Sequence, residues 1–179
     1  LDRILATVIV SQHLAFSFVD PKHLFAHAIK LFADRRATLF ACLQSGIHEA
    51  WVRAVSSKLG QSNRYSTSTS FDTFPLLAEA LGSPELERTG ERYHKHRAEI
   101  VSATGEGLTK IYGRLHNASD VSPEVCRLRN AQQELDEAVA AAYGWKHLDL
   151  TRQFQQTPSG VRFLFRDDVR YELCDRLLA

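Results

Sequence analysis

Arg36-Ala-Thr-Leu-Phe-Ala-Cys-Leu-Gln-Ser-Gly-Ile-His-Glu-Ala-Trp-Val-Arg-Ala-Val-Ser-Ser-Lys-Leu59 decides the fold class. Within it Leu39, Leu43, Ile47, Trp51 and Val55 recur every fourth position, flanked by Phe40, Ala50 and Ala54. That spacing draws one broad apolar stripe along an amphipathic helix. Asp34 is placed to cap its start and Gly60 to stop it. The pattern predicts one long helix from about Arg36 to Leu59.

On the amino-terminal side the pattern suits strands. Arg3-Ile-Leu-Ala-Thr-Val-Ile-Val-Ser11 is rich in β-branched residues, and Leu14-Ala-Phe-Ser-Phe-Val19 sets Phe16 and Phe18 on one face. Asp20-Pro21 reads as a turn, and Ala28-Ile-Lys-Leu-Phe32 as a third short strand. Past the helix, the polar run Gln61–Ser70 and the following Phe71-Asp-Thr-Phe-Pro75 have no helical period. Their hydroxylated and β-branched residues predict an extended segment. Beyond Pro75 helices take over. Ser83-Pro84-Glu85 and Ser122-Pro123-Glu124 are start signals, each with a cap residue, a first-turn proline and an early acid. The first helix carries Leu86, Tyr93, Ile100 and Val101, and Gly105-Glu-Gly107 breaks it. Leu108, Ile111, Tyr112 and Leu115 mark the next, and Leu128, Ala131, Leu135, Ala138, Val139 and Ala142 a third, ended by Gly144. A loop with Pro158 and Gly160 leads to a short strand, Val161–Phe165, and Asp167-Asp168 starts a last helix ending near Leu178. The expectation is an α+β chain: a small β-rich part with one long helix, then a mainly helical region. The boundary falls between Pro75 and Gly82, dividing the chain into residues 1–78 and 79–179.

Of 179 residues, 44% are hydrophobic and 24% charged, within the range of globular domains. No apolar run is long enough to span a bilayer, and no secretory signal precedes the first strand. The chain starts at Leu1 and contains no methionine, which reads as a piece of a longer protein. Cys42, Cys126 and Cys174 are few, scattered and odd in number, which suits buried thiols in a reducing, cytoplasmic setting. Residues 1–70 hold eight Lys/Arg against four Asp/Glu, and residues 71–179 hold fourteen against seventeen. A polyanion would therefore meet the first part.

Catalytic signals are lacking. There is no Pro-Pro of an Asn/Asp-Pro-Pro-aromatic loop, no strand–Gly-rich turn–helix unit and no Gly-x-Ser-x-Gly. Asp20-Pro21-Lys22 matches the Asp-x-Lys end of a metal-dependent nuclease site but lacks an upstream partner. His23 with His27, and His94 with His96, have no cysteine near them, so no metal site is assigned. Trp51, Tyr112, Tyr143 and Trp145 have the shape to stack on bases, yet their places on helical stripes and helix ends read as core. The binding candidates lie elsewhere. Arg53, Lys58 and Arg64 cluster where the helix meets the polar run, and Arg35 and Arg36 oppose the dipole of its first turn. A Ser/Thr run beside them offers hydroxyls and methyls to base edges while the cations hold phosphates.

Leu43-Gln-Ser-Gly-Ile-His-Glu-Ala-Trp-Val-Arg53, Arg64-Tyr-Ser66 and Phe71-Asp-Thr-Phe-Pro75 together resemble the end of the target-recognition domain in MmeI-like and related type II (IIG, IIL) restriction–modification enzymes. Leu128-Arg-x-Ala-Gln-x-Glu-Leu-Asp136, Ala142-Tyr-Gly-Trp145 and Arg170-x-Glu-Leu-x-x-Arg-Leu-Leu178 resemble the helical region that follows it. The one departure is Leu76-Leu77 after Phe-Pro, where a second proline often stands. The resemblance implies a parent adenine-N6 DNA methyltransferase that uses S-adenosylmethionine, in some relatives joined to a nuclease. It implies double-stranded DNA as ligand, with Ser66, Thr67, Ser68, Thr69 and Asp72 as base-reading candidates and Arg64 at a phosphate. No catalytic residue and no cofactor site carries over to this chain, whose partner would be the methyltransferase core of the same protein. A helical docking or spacer module of such an enzyme is the alternative for the second half.

Overall fold

The computed structural model describes residues 1–59 and 62–179; Gly60 and Gln61, including the expected helix stop at Gly60, lie outside them, as do the side chains of Lys58, Leu59 and Asn63. β1 (Ile4–Val8) is the middle strand of an antiparallel sheet, between β3 (Phe16–Val19) and β4 (Ile29–Phe32). Leu5 faces both Phe18 and Phe32, and Thr7 faces Phe16, so these residues share one side of the sheet and bury it. Phe16 and Phe18 lie on one face, as their alternation predicts. At Ile9 the chain leaves this sheet. Its N–H donates to the Ala28 carbonyl at 2.8 Å, and its own carbonyl accepts from Tyr65 N–H at 2.7 Å. β2 (Val10–Ser11) then pairs with β6 (Ser62–Arg64), which pairs with β5 (Lys58–Leu59). One stretch of chain thereby stitches two three-stranded sheets.

The long helix expected over Arg36–Leu59 is two helices, α1 (Ala37–Gln44) and α2 (Gly46–Val55). Ser45 breaks it. Its backbone is extended, its hydroxyl accepts from His48 N–H, and its N–H closes on Ala41 at 3.0 Å. Serine offers the backbone this local alternative to a continuous ladder, and glycine after it lowers the cost of the bend. The second helix ends at Val55, before β5 begins, so Leu59 is a strand residue. Asp34 is not the cap of α1. Arg36 occupies that position, and Asp34 instead accepts from Arg36 N–H at 2.8 Å and pairs with its guanidinium. The first turn is capped from outside, by Glu87, which accepts from Thr38 N–H at 2.7 Å.

The segment expected to be extended is a tight π-helical turn over Thr67–Phe71. Backbone bonds close it, from Ser70 N–H to the Ser66 carbonyl and from Asp72 N–H to the Thr67 carbonyl, and hydroxyls add to them: Thr73 Oγ1 donates to the Thr69 carbonyl and Ser70 Oγ accepts from Ser66 N–H. Phe71 anchors the turn against Phe32, with ring centroids 4.8 Å apart. Local hydroxyl–backbone bonding outweighs β propensity here.

After the short α3 (Ala78–Leu81), α4 (Pro84–Thr104) starts on Ser83, whose hydroxyl accepts from Leu86 N–H, and stops at left-handed Gly105. α5 (Leu108–Leu115) and α6 (Pro123–Ala142) follow. The strand read at Val161–Phe165 is β8 (Gly160–Phe165), and it pairs with β7 (Arg152–Thr157), which the sequence reading missed as loop. α7 (Asp167–Leu178) packs on α2.

α1 explains why this assembles as it does. All eight of its residues are buried, between the first sheet and the helices α4 and α6. Gly90 of α4 permits the close approach, since a Cβ there would run into the Ala37 carbonyl. Leu5, Phe16, Phe40, Leu43, Leu86, Tyr93, Leu128, Leu135 and Leu173 belong to one apolar core drawn from both halves of the chain. Each such side chain stabilises the fold by about 1.5–3 kcal/mol. Trp51, Tyr112 and Tyr143 are buried in it and Trp145 packs against it, as their helical positions predict. Cys42 is buried, whereas Cys126 and Cys174 are half-buried. The architecture is α+β, as the patterning predicts.

Candidate nucleic-acid interface

α2 is the scaffold of the site, and its carboxy-terminal end is where the candidates gather. Ser56, just past the helix, shares a hydrogen bond with the buried Ser70 hydroxyl at 2.8 Å. Trp51 donates to Thr73 Oγ1 at 3.2 Å, and His48 Nε2 meets Tyr65 Oη at 3.1 Å. These bonds pin the hydroxyl turn to α2 at both ends. Ser66 and Thr67 are half-buried, while Ser68, Thr69 and Asp72 are exposed. Ser66 and Ser68 hydroxyls lie 2.9 Å apart. Arg64 is exposed on β6 opposite Val10, two residues before the turn. The structure thus brings Arg64 and the five base-reading candidates to one surface.

The other cations divide. Arg53 belongs to this end of α2, but it pairs with Glu49 one turn earlier at 2.7 Å. Lys58 follows in β5. Arg35 and Arg36 sit at the far end of the α1–α2 pair, where Arg36 bonds Asp34 and Arg35 lies 3.7 Å from Asp2. The charge that opposes the α1 dipole is therefore met from within the chain, by Asp34 and Glu87.

Behind α2 lies a buried ionic network that sequence reading did not find. Asp136 of α6 accepts from Gly46 N–H at 2.7 Å, from Gln132 at 3.0 Å and from Arg152 Nε at 2.7 Å. A Cβ at position 46 would collide with the Arg152 guanidinium and the Phe165 ring, so this glycine keeps the junction closed. Burial pushes the Asp136 carboxyl up, against the opposing pull of Arg152. Burial also opposes ionisation of Glu49, yet Arg53 and Arg152 outweigh it and hold that carboxyl at about 2. Burial pushes His13 down to about 4, and Arg162 adds to the shift; His116 and His48 fall to about 3, chiefly from burial. Arg162 donates to His13 Nδ1 at 2.9 Å, and Phe163 N–H donates to His116 Nδ1 at 3.0 Å. The one sequence signal for this hairpin was the turn Thr157-Pro-Ser-Gly160 ahead of the apolar run Val161–Phe165.

Among the described residues, no group of three or more His, Cys, Asp or Glu is arranged to hold a metal, and no helix is long and apolar enough to cross a membrane. The glycines with positive φ end α4 and α6 or turn the β7–β8 hairpin (Gly105, Gly144 and Gly160). None leads a strand into a helix as a nucleotide cradle does.

Three comparisons fall on this geometry. The family model for the MmeI target recognition domain matches residues 8–78. A solved structure of the Type IIL restriction-modification enzyme MmeI in complex with DNA superposes with a TM-score of 0.67 at 25% identity, over 82% of this chain and 19% of that one. DNA methyltransferase A of Bacillus subtilis (strain 168) is 28% identical over 127 residues, 70% of this chain and 13% of the relative. The chain therefore spans under a fifth of either protein's length. With all three in agreement, the resemblance carried by Arg64-Tyr-Ser66 and Phe71-Asp-Thr-Phe-Pro75 is borne out, and residues 8–78 match the target recognition domain of MmeI.

Proposed function

We propose that this chain is the sequence-recognition part of a restriction–modification DNA methyltransferase, with residues 1–78 reading double-stranded DNA and residues 79–179 bracing them. One observation carries the reading: the hydroxyl-lined turn from Ser66 to Asp72 stands beside Arg64 at the open end of α2, inside the matched residues. Arg64 holds the backbone and sets register, and Arg35, Arg36, Arg53 and Lys58 are further phosphate candidates. Ser66, Thr67, Ser68, Thr69 and Asp72 meet base edges, where short hydroxyls pair with either donors or acceptors and an acid accepts from cytosine. Chemistry falls to the methyltransferase core of the same protein, which takes an adenine out of the stack for methylation at N6. S-adenosylmethionine would bind that core. The residues here do not fit it, having neither a Pro-Pro loop nor a glycine cradle. A nuclease in the parent, a role in phage defence and a cytoplasmic site complete the reading.

Selection of duplexes from a random pool by the full-length protein tests this. A single enriched site is expected, and Thr67 or Asp72 substitutions should change its bases while Arg64→Ala weakens binding to every duplex. An unchanged site in both the Thr67 and Asp72 variants would remove the turn as the reader. The second reading, a docking module, finds support in the groove of about 460 Å³ between α4 and α6, whose rim mixes Arg92, His96 and Arg127 with Glu99 and Glu134. Duplex binding through phosphates weakens steeply with salt and falls with Arg64→Ala, whereas docking at this groove falls with Arg127→Gln and leaves duplex binding unchanged.

A further inference from the structure

A small cavity lies at the seam between the two parts of the chain. His13, Glu49 and His116 wall it, with Arg152, Leu14 and Leu115 beside them and the polar side chains of Gln44, Tyr112 and Gln132 completing the lining. His13 comes from the chain before β3, Glu49 from α2 and His116 from the end of α5. The two imidazole rings stack with centroids 5.3 Å apart. Their tautomers follow from their partners. Arg162 Nη1 donates to His13 Nδ1 at 2.9 Å, and Phe163 N–H donates to His116 Nδ1 at 3.0 Å. A guanidinium and a backbone amide only donate, so both Nδ1 atoms are bare and each neutral ring carries its proton on Nε2. Burial keeps both rings neutral at pH 7, with His13 pushed down to about 4 and His116 to about 3. Among the described residues neither Nε2–H has an acceptor.

Glu49 supplies the complementary atom. Its Oε1 accepts from Arg53, while its Oε2 lies 3.9 Å from Arg152 Nη1, beyond hydrogen-bond reach. The other polar walls are bonded elsewhere. Gln44 Oε1 accepts from Phe16 N–H and Arg97, Tyr112 Oη accepts from Arg97, and Gln132 is held by Tyr93 and Asp136. Two donors and one carboxylate oxygen therefore border a space that leaves about 20 Å³ to a water-sized sphere. One water needs about 10–15 Å³ on that measure, together with two to four polar partners. The bonding pattern selects the occupant. An anion would meet the Glu49 carboxylate, and a cation would meet two N–H donors and the Arg152 guanidinium. Water alone among small species accepts from both rings and donates to Oε2 at once.

We propose that this cavity is a binding site for one water molecule, which accepts from His13 Nε2–H and His116 Nε2–H and donates to Glu49 Oε2. The site stands whether or not the chain reads DNA, because every partner is internal. It makes the water a joint of the fold, held by the first part of the chain through His13 and Glu49 and by the second through His116. The test is a crystal structure of the full-length protein at a resolution that shows ordered water. One density peak is expected within about 3.2 Å of His13 Nε2, His116 Nε2 and Glu49 Oε2. The same crystals soaked in bromide should show no anomalous signal there. His116→Phe keeps a ring of similar size and removes the donor, so the peak should disappear while His13 and Glu49 stay in place. Absence of any peak in the unaltered protein overturns the site. A bromide signal at that position overturns water as its ligand. A peak that persists unmoved in His116→Phe overturns the three-partner arrangement. Should His116→Phe fail to fold, the unaltered crystals decide by themselves.

Discussion

Asp136, on α6, accepts a hydrogen bond from the backbone N–H of Gly46, at the first turn of α2, at 2.7 Å. Ninety residues separate the two in sequence, and each lies on a different side of the expected division at residue 78. The same carboxylate pairs with Arg152, so one fully buried group ties α2, α6 and the β7–β8 hairpin together.

Removing that carboxylate leaves Arg152 buried with only the more distant Glu49, and leaves the Gly46 donor unmet. Breaking a buried pair from one side costs about 3–5 kcal/mol. Asp136→Ala should therefore lose that much stability in urea unfolding. A loss below about 1 kcal/mol would mean the network relaxes freely.

The halves are expected to depend on each other. α1 is buried on all sides, and Arg97 of α4 reaches across to donate to Gln44 at 3.1 Å and to the Phe16 carbonyl. A fragment ending at residue 78 strips α4 and α6 from α1. It should show weak near-ultraviolet circular dichroism and bind a hydrophobic dye, as loosely packed chains do. A sharp, cooperative melt of that fragment would show that residues 1–78 fold alone.

Within the turn, the structural role and the proposed recognition role fall on different hydroxyls. Ser70 is buried, bonded to Ser56 at 2.8 Å and accepting from Ser66 N–H at 3.3 Å. Ser70→Ala should cost about 1–3 kcal/mol, the penalty for stranding buried polar partners. Exposed Ser68 and Thr69 should tolerate alanine within about 0.5 kcal/mol. Thermal melts of the three variants separate these roles, and equal losses in all would erase the distinction.

Acid should destabilise the protein in two windows. His13 is held at about 4 and His48 and His116 at about 3, all below the ordinary value of 6.5. Between 6.5 and those values the unfolded chain binds protons that the folded chain refuses, so stability falls as pH drops. The slope reaches about 1.4 kcal/mol per pH unit for each histidine that stays neutral. Glu49, held at about 2 rather than 4.5, adds a contribution present above 4.5 and lost as pH falls toward 2. A melting temperature that stays flat from pH 7 to pH 5 would contradict the burial of neutral histidines.

Much of this was legible in the chain itself. The fourfold spacing from Leu39 to Val55 fixed helix, and the paired Ser-Pro-Glu starts fixed α4 and α6, because those signals are local. Alternation placed Phe16 and Phe18 on one face, and the residues around Arg64 and Phe71–Pro75 carried the resemblance to the MmeI target recognition domain. What escaped were outcomes of competition over distance. An apolar stripe runs unbroken through Ser45, where the local cap on His48 N–H is joined by Asp136 arriving from α6 to take the Gly46 N–H. The Ser/Thr run reads as a ribbon by propensity, yet bonds to Ser56 and Trp51 curl it into a turn. β7 hides because Gln153, Gln155 and Gln156 look like loop until β8 pairs with them. Buried His13, Arg152 and Arg162 carry no local mark at all, since the charge a residue must live beside is set by which elements pack against it. The sequence by itself determined the main helices and the strands of the first sheet, because those signals are local; the tertiary structure alone decided where α1–α2 bends, how the two halves lock, and which charged side chains are buried, because those outcomes depend on which elements pack together.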